Sequence, residues 1–322
     1  MTNSRILGAS GITVSTVGVG CNAFGTRIDA AQTKGVVDAA FEHGVTFFDT
    51  ADVYGRGQSE ELLGKALQGR RDEAVIATKF GMDVEGLNGD DGGRRGTAAY
   101  VRKAVESSLM RLGTDRIDLY QLHTPDPSTP IEETLGAMNE LVVEGKVRAI
   151  GSSNLQAWQL VDASWVSKTN GLASFVTAQN EYSLYNRAAE VELTPACLAL
   201  GVGILPYFPL AYGLLTGKYR RGEAAPAGTR LEAQAQRLQT ADWDRIEALE
   251  GFAAQRGISI LQLAIGGLAA QPAVASVIAG ATKPEQVAAN AEAGEWIPTE
   301  DDLKELATVG QPGHSYTTFA PR

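Results

Sequence analysis

Cysteine and histidine are both scarce in this chain: Cys21 and Cys197, then His43, His123 and His314, among 322 residues. Two distant cysteines make neither a disulfide framework nor a C-x-x-C pair, and they suit a reduced cytoplasm. The histidines fall at no ligand-like spacing, so no metal is expected. Basic charge is short as well, with 28 Lys and Arg against 38 Asp and Glu, a net charge of −10. That balance argues against a surface that tracks nucleic-acid phosphates. No apolar run reaches the roughly 18 residues of a bilayer span. The opening MTNSRILGASG has no basic stretch followed by an apolar one, so no secretory signal is expected. A soluble cytoplasmic protein is the expectation.

Apolar residues make up 44% of the chain and charged residues 20%, ordinary globular usage. Short β-branched runs alternate with amphipathic helical patterns along most of its length. Strands are expected at 17–20, 46–49, 74–79, 117–122, 147–151, 175–179, 203–206 and 274–278. Helical stripes fit between them, as at Val101, Val105, Leu109 and Leu112. Thr129-Pro130-Ile131-Glu132 reads as a capping box with proline in the first helical position, and Thr282-Lys283-Pro284-Glu285 has the same form. Strand ends recur about 30 residues apart, one βα unit each. Eight such units match a closed α/β (β/α)8 barrel. A doubly wound open sheet competes, but no G-x-G-x-x-G opens a helix; Gly18-Val19-Gly20 lacks the third glycine. A small hairpin around 8–11 precedes the barrel, and a helix over 299–309 lies outside it. Two long loops, 81–96 and 212–240, belong at the barrel's C-terminal mouth, where such folds build their sites. For the first of them a mobile surface loop and a substrate role are both open.

Four ionisable residues lie where apolar runs give way to loops: Asp49 and Tyr54 in TFFDTADVYG, Lys79 in VIATK and His123 in LYQLH. Each is costly beside apolar strands unless it meets a partner or a substrate. A carboxylate, an amine, a phenol and an imidazole in one site suggest proton delivery to a carbonyl. Phenol has a pKa near 10, and an adjacent ammonium is expected to lower it while a carboxylate keeps the amine charged. Taken singly, an Asp–Lys pair is usually structural and a histidine usually a satisfied core residue; the coincidence of four is what argues for chemistry. Trp158, Trp165 and Trp243 fall in helical patterns that suit core or interface equally.

These segments resemble the aldo-keto reductase superfamily along nearly the whole chain, and among its members the bacterial branch similar to channel β-subunits. ILGASGITVSTVGVG, FFDTADVYGRGQSEELLGKAL, SLMRLGTDRIDLYQLH, VRAIGSSN, AQNEYS and PLAYGLLTGKY match family segments in order. The resemblance implies one barrel domain over 1–322 and an NAD(P)H-dependent oxidoreductase that reduces an aldehyde or ketone to an alcohol. Tyr54 would be the general acid, Lys79 and Asp49 would tune it, and His123 would position the carbonyl. The cofactor, NADPH with NADH still open, would lie across the mouth. Ser153, Asn154 and Gln179 would hold its carboxamide, with an N-cap as the bland role for Asn154. Tyr207 would stack on its ring, and Gly20, Cys21, Asn22, Asp49, Pro209, Leu210 and Gly213 would line its path. Lys218 and Arg230, beside Arg220 and Arg221, would meet the phosphates; Gly280, Thr282, Gln286 and Asn290 would contact the adenosine end. Phe208 replaces a common serine, Ala289 a common glutamate, and Gly280 and Gln286 stand where one branch uses lysine and arginine. A nucleotide-binding regulatory subunit with weak turnover is the alternative. A metal-dependent hydrolase using His123, Asp126 and Asp49 is a third reading. Substrate identity, reaction direction and the choice between monomer and homo-oligomer stay open.

Overall fold

The first described residues form a hairpin. The computed structural model describes residues 4–309, so His314 lies outside the described residues. Strand β1 (Ser4–Ile6) pairs antiparallel with β2 (Thr13–Ser15), and Gly8 in the turn takes φ +49°. A side chain on Gly8 would meet the Val176 carbonyl at 2.1 Å, so glycine is what lets the hairpin press against the strands it covers.

Eight parallel strands follow: β3 (Val17–Gly20), β4 (Phe47–Asp49), β5 (Val75–Phe80), β6 (Ile117–Leu122), β7 (Val147–Ser153), β8 (Phe175–Gln179), β9 (Gly203–Ile204) and β10 (Val277–Gly280). From β3 to β9 each pairs with the next, and β10 returns to β3. A parallel bridge between Ile204 and Val274 brings β9 to the residues just before β10 and closes the cylinder. The open sheet is thereby excluded; the fold is a (β/α)8 barrel. Helices, among them Ala30–Glu42, Gln58–Ala66, Ala98–Leu112, Ile131–Val143 and Ala157–Asn170, connect the strands and pack outside them.

Period-two alternation explains where the chemistry sits. Phe47, Ala77 and Leu119 point into the lumen, where Leu7, Ile12 and Val14 of the hairpin join the same buried cluster. Two residues further along each strand the same face carries Asp49, Lys79 and Gln121. The lumen is thus apolar below and polar at the C-terminal mouth.

Several boundaries differ from the sequence expectation. Strand β7 runs on to Ser153 through an irregularity at Ile150/Gly151, where a side chain on Gly151 would meet Thr177 Oγ1 at 2.2 Å. Strand β9 is two residues long, because the chain turns away toward an isolated bridge between Glu181 and Tyr207. Strand β10 starts at Val277 rather than 274, since Ala273 takes a left-handed φ of +64°. Pro130 occupies the N-cap of Ile131–Val143, and Thr129 donates instead to Asp126, so the expected box does not form. At Pro284–Ala293 the backbone and hydroxyl of Thr282 both donate to Gln286 Oε1, so Gln286 and not Glu285 closes that helix start. The connection after β9 is less bare than expected, holding short helical pieces at Ala211–Thr216, Glu232–Gln234 and Ala235–Gln239. The hairpin stands as expected, and the outer helix runs over Glu300–Thr308.

The loop over 81–96 is tethered. Asn88, buried, donates to Asp52 Oδ2 at 2.8 Å and accepts from Arg111, which also donates to Glu60 at 2.6 Å. Thr78 donates to the other oxygen of Glu60. One arginine therefore faces two buried carboxyls. Burial, with Glu60 adding repulsion, pushes the Asp52 carboxyl up from 3.8 to about 7. A raised native pKa means stability that is full below pH 3.8 and is lost as pH climbs through about 7. At about 1.4 kcal/mol per pH unit, the loss approaches about 4 kcal/mol above that window. Asp52→Asn should therefore raise the unfolding midpoint at pH 8 more than at pH 5; an equal change at both would show that Asp52 does not carry this titration.

Candidate active site

Strand ends and the turn behind one of them deliver the four residues to one place. Asp49 closes β4, Lys79 stands one residue before the end of β5, His123 directly follows β6, and Tyr54 comes from the turn after β4. Lys79 Nζ donates to Asp49 Oδ2 at 2.6 Å, to the Thr50 carbonyl at 2.8 Å and to Tyr54 Oη at 3.4 Å. It is 0% exposed and Asp49 2%. The other oxygen of Asp49 accepts from Gln179 at 2.8 Å and from Gln121 at 3.2 Å. The carboxylate is thus held from three strands. Tyr54 and His123 meet edge to face with ring centres 6.0 Å apart.

Burial pulls the Lys79 amine down, yet Asp49 and Tyr54 outweigh it, and the net direction is up. Lys79 is therefore an ammonium. For Tyr54 the balance goes the other way: burial dominates, Lys79 offsets part of it, and the phenol stays above its ordinary value. The expectation of a phenol lowered below 10 is not met, because desolvation outweighs the ammonium. Burial first and Lys79 second drive His123 well below 6.5, so it is neutral, and its buried Nδ1 has no hydrogen-bond partner among the described residues.

Around this core the remaining candidates divide. Asn154, at φ +59°, donates to the His123 carbonyl and to Ser153 Oγ, and accepts from Tyr207 Oη at 2.8 Å. Gln156, not Asn154, caps the helix that follows. Ser153 donates to the Gln179 carbonyl, so Ser153, Asn154, Gln179 and Tyr207 form one linked wall. Gly20 pairs with Gly280 across β3 and β10, and a side chain on Gly280 would come nearest to Asn22 Oδ1, at 3.7 Å. Cys21 is buried, and its N–H donates to the Asp49 carbonyl. Phe208 packs between Tyr207 and Tyr212. Phe208, Ala211 and Tyr212 all take positive φ ahead of Gly213, a concentration of backbone strain at the mouth. Pro209 is buried and Leu210 half-buried beside them. Asn290 is buried two turns into Pro284–Ala293, away from Thr282 at its start.

The basic segment after β9 is only partly available. Arg220 pairs with Glu250, and Arg221 with Asp244 and Glu247, all on the helix Trp243–Gln255. Lys218 and Arg230 form no ion pair among the described residues. Arg230 lies over the rings of Phe208 and Tyr212 at 5.5 and 5.4 Å. Its pKa is held down by burial first and then by the charge of Arg27, which likewise forms no ion pair among the described residues. Arg237 covers the Tyr212 ring at 3.6 Å. Sequence reasoning missed Arg27, Arg237 and Gln121. The last was readable, two residues before His123 on the same strand face; the arginine cluster was not, since 27 and 230 meet only through the closed barrel. Asp126, the remaining carboxylate of the hydrolase reading, is taken by Gly96 N–H, Ser128 and Thr129.

Residues 16–310 match the Aldo/keto reductase family. A probable aldo-keto reductase 1 of Glycine max is 37% identical, covering 95% of this chain and 89% of its own. The Bacillus subtilis aldo-keto reductase YhdN is 35% identical over 93% and 91%. A probable voltage-gated potassium channel subunit beta of Oryza sativa subsp. japonica is 36% identical over 91% of both. The solved structure of aldo-keto reductase AKR11C1 from Bacillus halodurans, holo form, superposes with a TM-score of 0.80 at 30% identity over 99% of both chains. The chain belongs to the aldo/keto reductase family and is an NAD(P)H-dependent oxidoreductase. No helix among the described residues is long and apolar enough to cross a membrane.

Lys79→Met leaves Asp49 buried with only amide donors, which should cost about 3–5 kcal/mol of stability. Adding Asp49→Asn to it should recover a large part, since no uncompensated charge remains. A double variant no more stable than Lys79→Met, measured by denaturant unfolding, would show that the pair is not what holds the mouth.

Proposed function

We propose that the chain reduces an aldehyde or ketone with NADPH, with Tyr54 as the proton donor. The observation that carries this reading is the run Tyr54 Oη–Lys79 Nζ–Asp49 Oδ2 at the barrel mouth, at 3.4 and 2.6 Å, beside a neutral His123. When bound, reduced nicotinamide would supply the hydride for the carbonyl carbon. Tyr54, protonated at neutral pH, gives its proton to the carbonyl oxygen and is left as a phenolate beside the Lys79 ammonium. The ammonium is already in place, so little reorganisation is needed when that charge appears. Asp49 keeps Lys79 charged, and Gln121 and Gln179 keep Asp49 in line. His123, being neutral, has one N–H to direct at the carbonyl oxygen and adds no competing positive charge.

The mouth also suits a dinucleotide. Asn154 and Gln179 offer amides to a carboxamide, and Tyr207 offers a ring face. Arg27, Arg230 and Lys218 carry positive charge with no acidic partner among the described residues, as an anionic ligand would require. Gly20, Asn22, Gly280, Thr282 and Gln286 line the way to the adenosine end in this reading. Two buried free thiols suit a reducing cytoplasm. The four intact residues disfavour a nucleotide-binding regulatory subunit with weak turnover, which a steady-state assay distinguishes.

Tyr54→Phe should lower turnover by about 10²–10⁴ while cofactor affinity changes no more than a few-fold. Near-normal turnover would overturn the acid assignment. Arg27→Ala and Arg230→Ala should each weaken NADPH by about ten- to a hundredfold and leave NADH nearly untouched. Fluorescence titration reads this directly; equal weakening of both nucleotides would remove the 2′-phosphate from these arginines.

A further inference from the structure

The loop over 81–96 leaves β5 just after Lys79 and reaches the two other segments that carry the site. Asn88 pins it to the turn that bears Tyr54, where its amide donates to Asp52 Oδ2 at 2.8 Å. Gly96 pins it to the loop that follows His123, its N–H donating to Asp126 at 2.7 Å. Arg56 and Glu85 join the same turn and loop once more at the surface, at 2.5 Å. A side chain on Gly57 would fall 2.6 Å from Arg111 Cδ and 3.1 Å from Leu87 Cδ2, so turn and loop pack closely there.

The turn needs that support. Gly55, Arg56 and Gly57 take φ of 58°, 54° and 84°, and for Arg56 this is a strained conformation. Such strain persists only where surrounding contacts fix it. Tyr54 depends on the turn in its own right. Among the described residues its hydroxyl has a hydrogen-bond contact with Lys79 alone, at 3.4 Å. That is the outer limit of such a bond, and a small rotation of the turn would break it.

Asparagine is the residue type this junction requires. Arg111 can only donate, and its guanidinium faces Asn88 Oδ1 at 3.1 Å. An ionised Asp52 can only accept. One amide meets both, and the same nitrogen lies 3.4 Å from Tyr100 Oη. Asn88 is 4% exposed and Asp52 0%, so neither contact is readily replaced by water. Glu60 on Gln58–Ala66, Arg111 and Tyr100 on Ala98–Leu112 and Tyr120 on β6 are the titratable and charged groups facing this pair.

We propose that Asn88 is a positioning residue for carbonyl reduction: it holds Asp52, and with it the turn that sets the reach of Tyr54 Oη toward Lys79 and the substrate oxygen. This role rests on Tyr54 being the proton donor. The loop over 81–96 then supports the donor as well as walling the mouth.

Asn88→Asp tests this in the full chain, since it keeps the side chain's size and the Arg111 contact but turns the donor facing Asp52 into an oxygen. The kcat for benzaldehyde with NADPH should fall by about tenfold or more, while the Kd of NADPH changes no more than about a few-fold. The loss should deepen from pH 6 to pH 9, as the proton that two facing carboxyls can share is removed. Hydrogen exchange at the amides of Tyr54, Arg56 and Gln58, each bonded within the turn, should quicken in parallel. Adding Asp52→Asn reverses the polarity of the bond, with the amide on the turn and the carboxylate beside Arg111, and should restore both kcat and exchange. Asn88→Ala, which removes the contacts without adding charge, should show the loss at both pH values. Unchanged kcat and exchange in Asn88→Asp beside an inactive Tyr54→Phe, or a combined variant as impaired as Asn88→Asp, would overturn the role of Asn88 alone. Near-normal turnover in Tyr54→Phe would overturn the donor reading and this role with it.

Discussion

The buried contact between Lys79 and Asp49 is the interaction on which the mouth of this barrel depends. An ammonium and a carboxylate sit where almost no water reaches them. Desolvation of both is expensive, and removal of either partner strands the other. The protein meets this by converging donors from neighbouring strands: two glutamine amides fill the second carboxylate oxygen, and a backbone carbonyl takes another proton of the ammonium. What is left of Lys79 points at Tyr54. The pair is thus both a structural necessity and the reason a phenol in a dry site has a positive charge waiting beside it.

Opposing effects of burial set the protonation states around that pair. Desolvation raises the phenol of Tyr54 and lowers the imidazole of His123, so both are neutral near pH 7. For a proton donor the first direction is the useful one, and for a group that orients an oxygen the second avoids a rival cation. The same physics, with a second carboxyl close by, produces the high value of Asp52 beneath the turn that carries Tyr54. Positive charge at the outer mouth is arranged differently. An acidic helix neutralises Arg220 and Arg221, while Arg27, Arg230 and Lys218 have no acidic partner among the described residues.

Much of this was legible in the residues. Apolar runs ending in Asp49, Lys79 and His123 announced strands, and their recurrence announced the barrel, because a period-two pattern and a repeating βα length survive without knowledge of contacts. Boundaries were less legible where a single backbone angle decided them. Ala273 with positive φ delays β10, and the turn toward Tyr207 cuts β9 short, and neither is a matter of propensity. Capping was misread at Thr129 and Thr282 for a related reason: each hydroxyl found a better partner, Asp126 or Gln286, than the one three residues on.

The sequence by itself determined the barrel, the polar ends of its strands, the four residues of the candidate site and the acidic balance of the chain. These depend on order and period along one dimension. Tertiary structure alone decided the sign of the Tyr54 shift, since that is a contest between burial and one ammonium at a fixed distance. It alone brought Arg27 to Arg230 across the closed cylinder, spent Arg220 and Arg221 on a neighbouring helix, and left Trp158 and Trp165 in solvent rather than in the core. Each of those outcomes turns on which groups become neighbours and how much water remains between them, and a linear chain carries neither quantity.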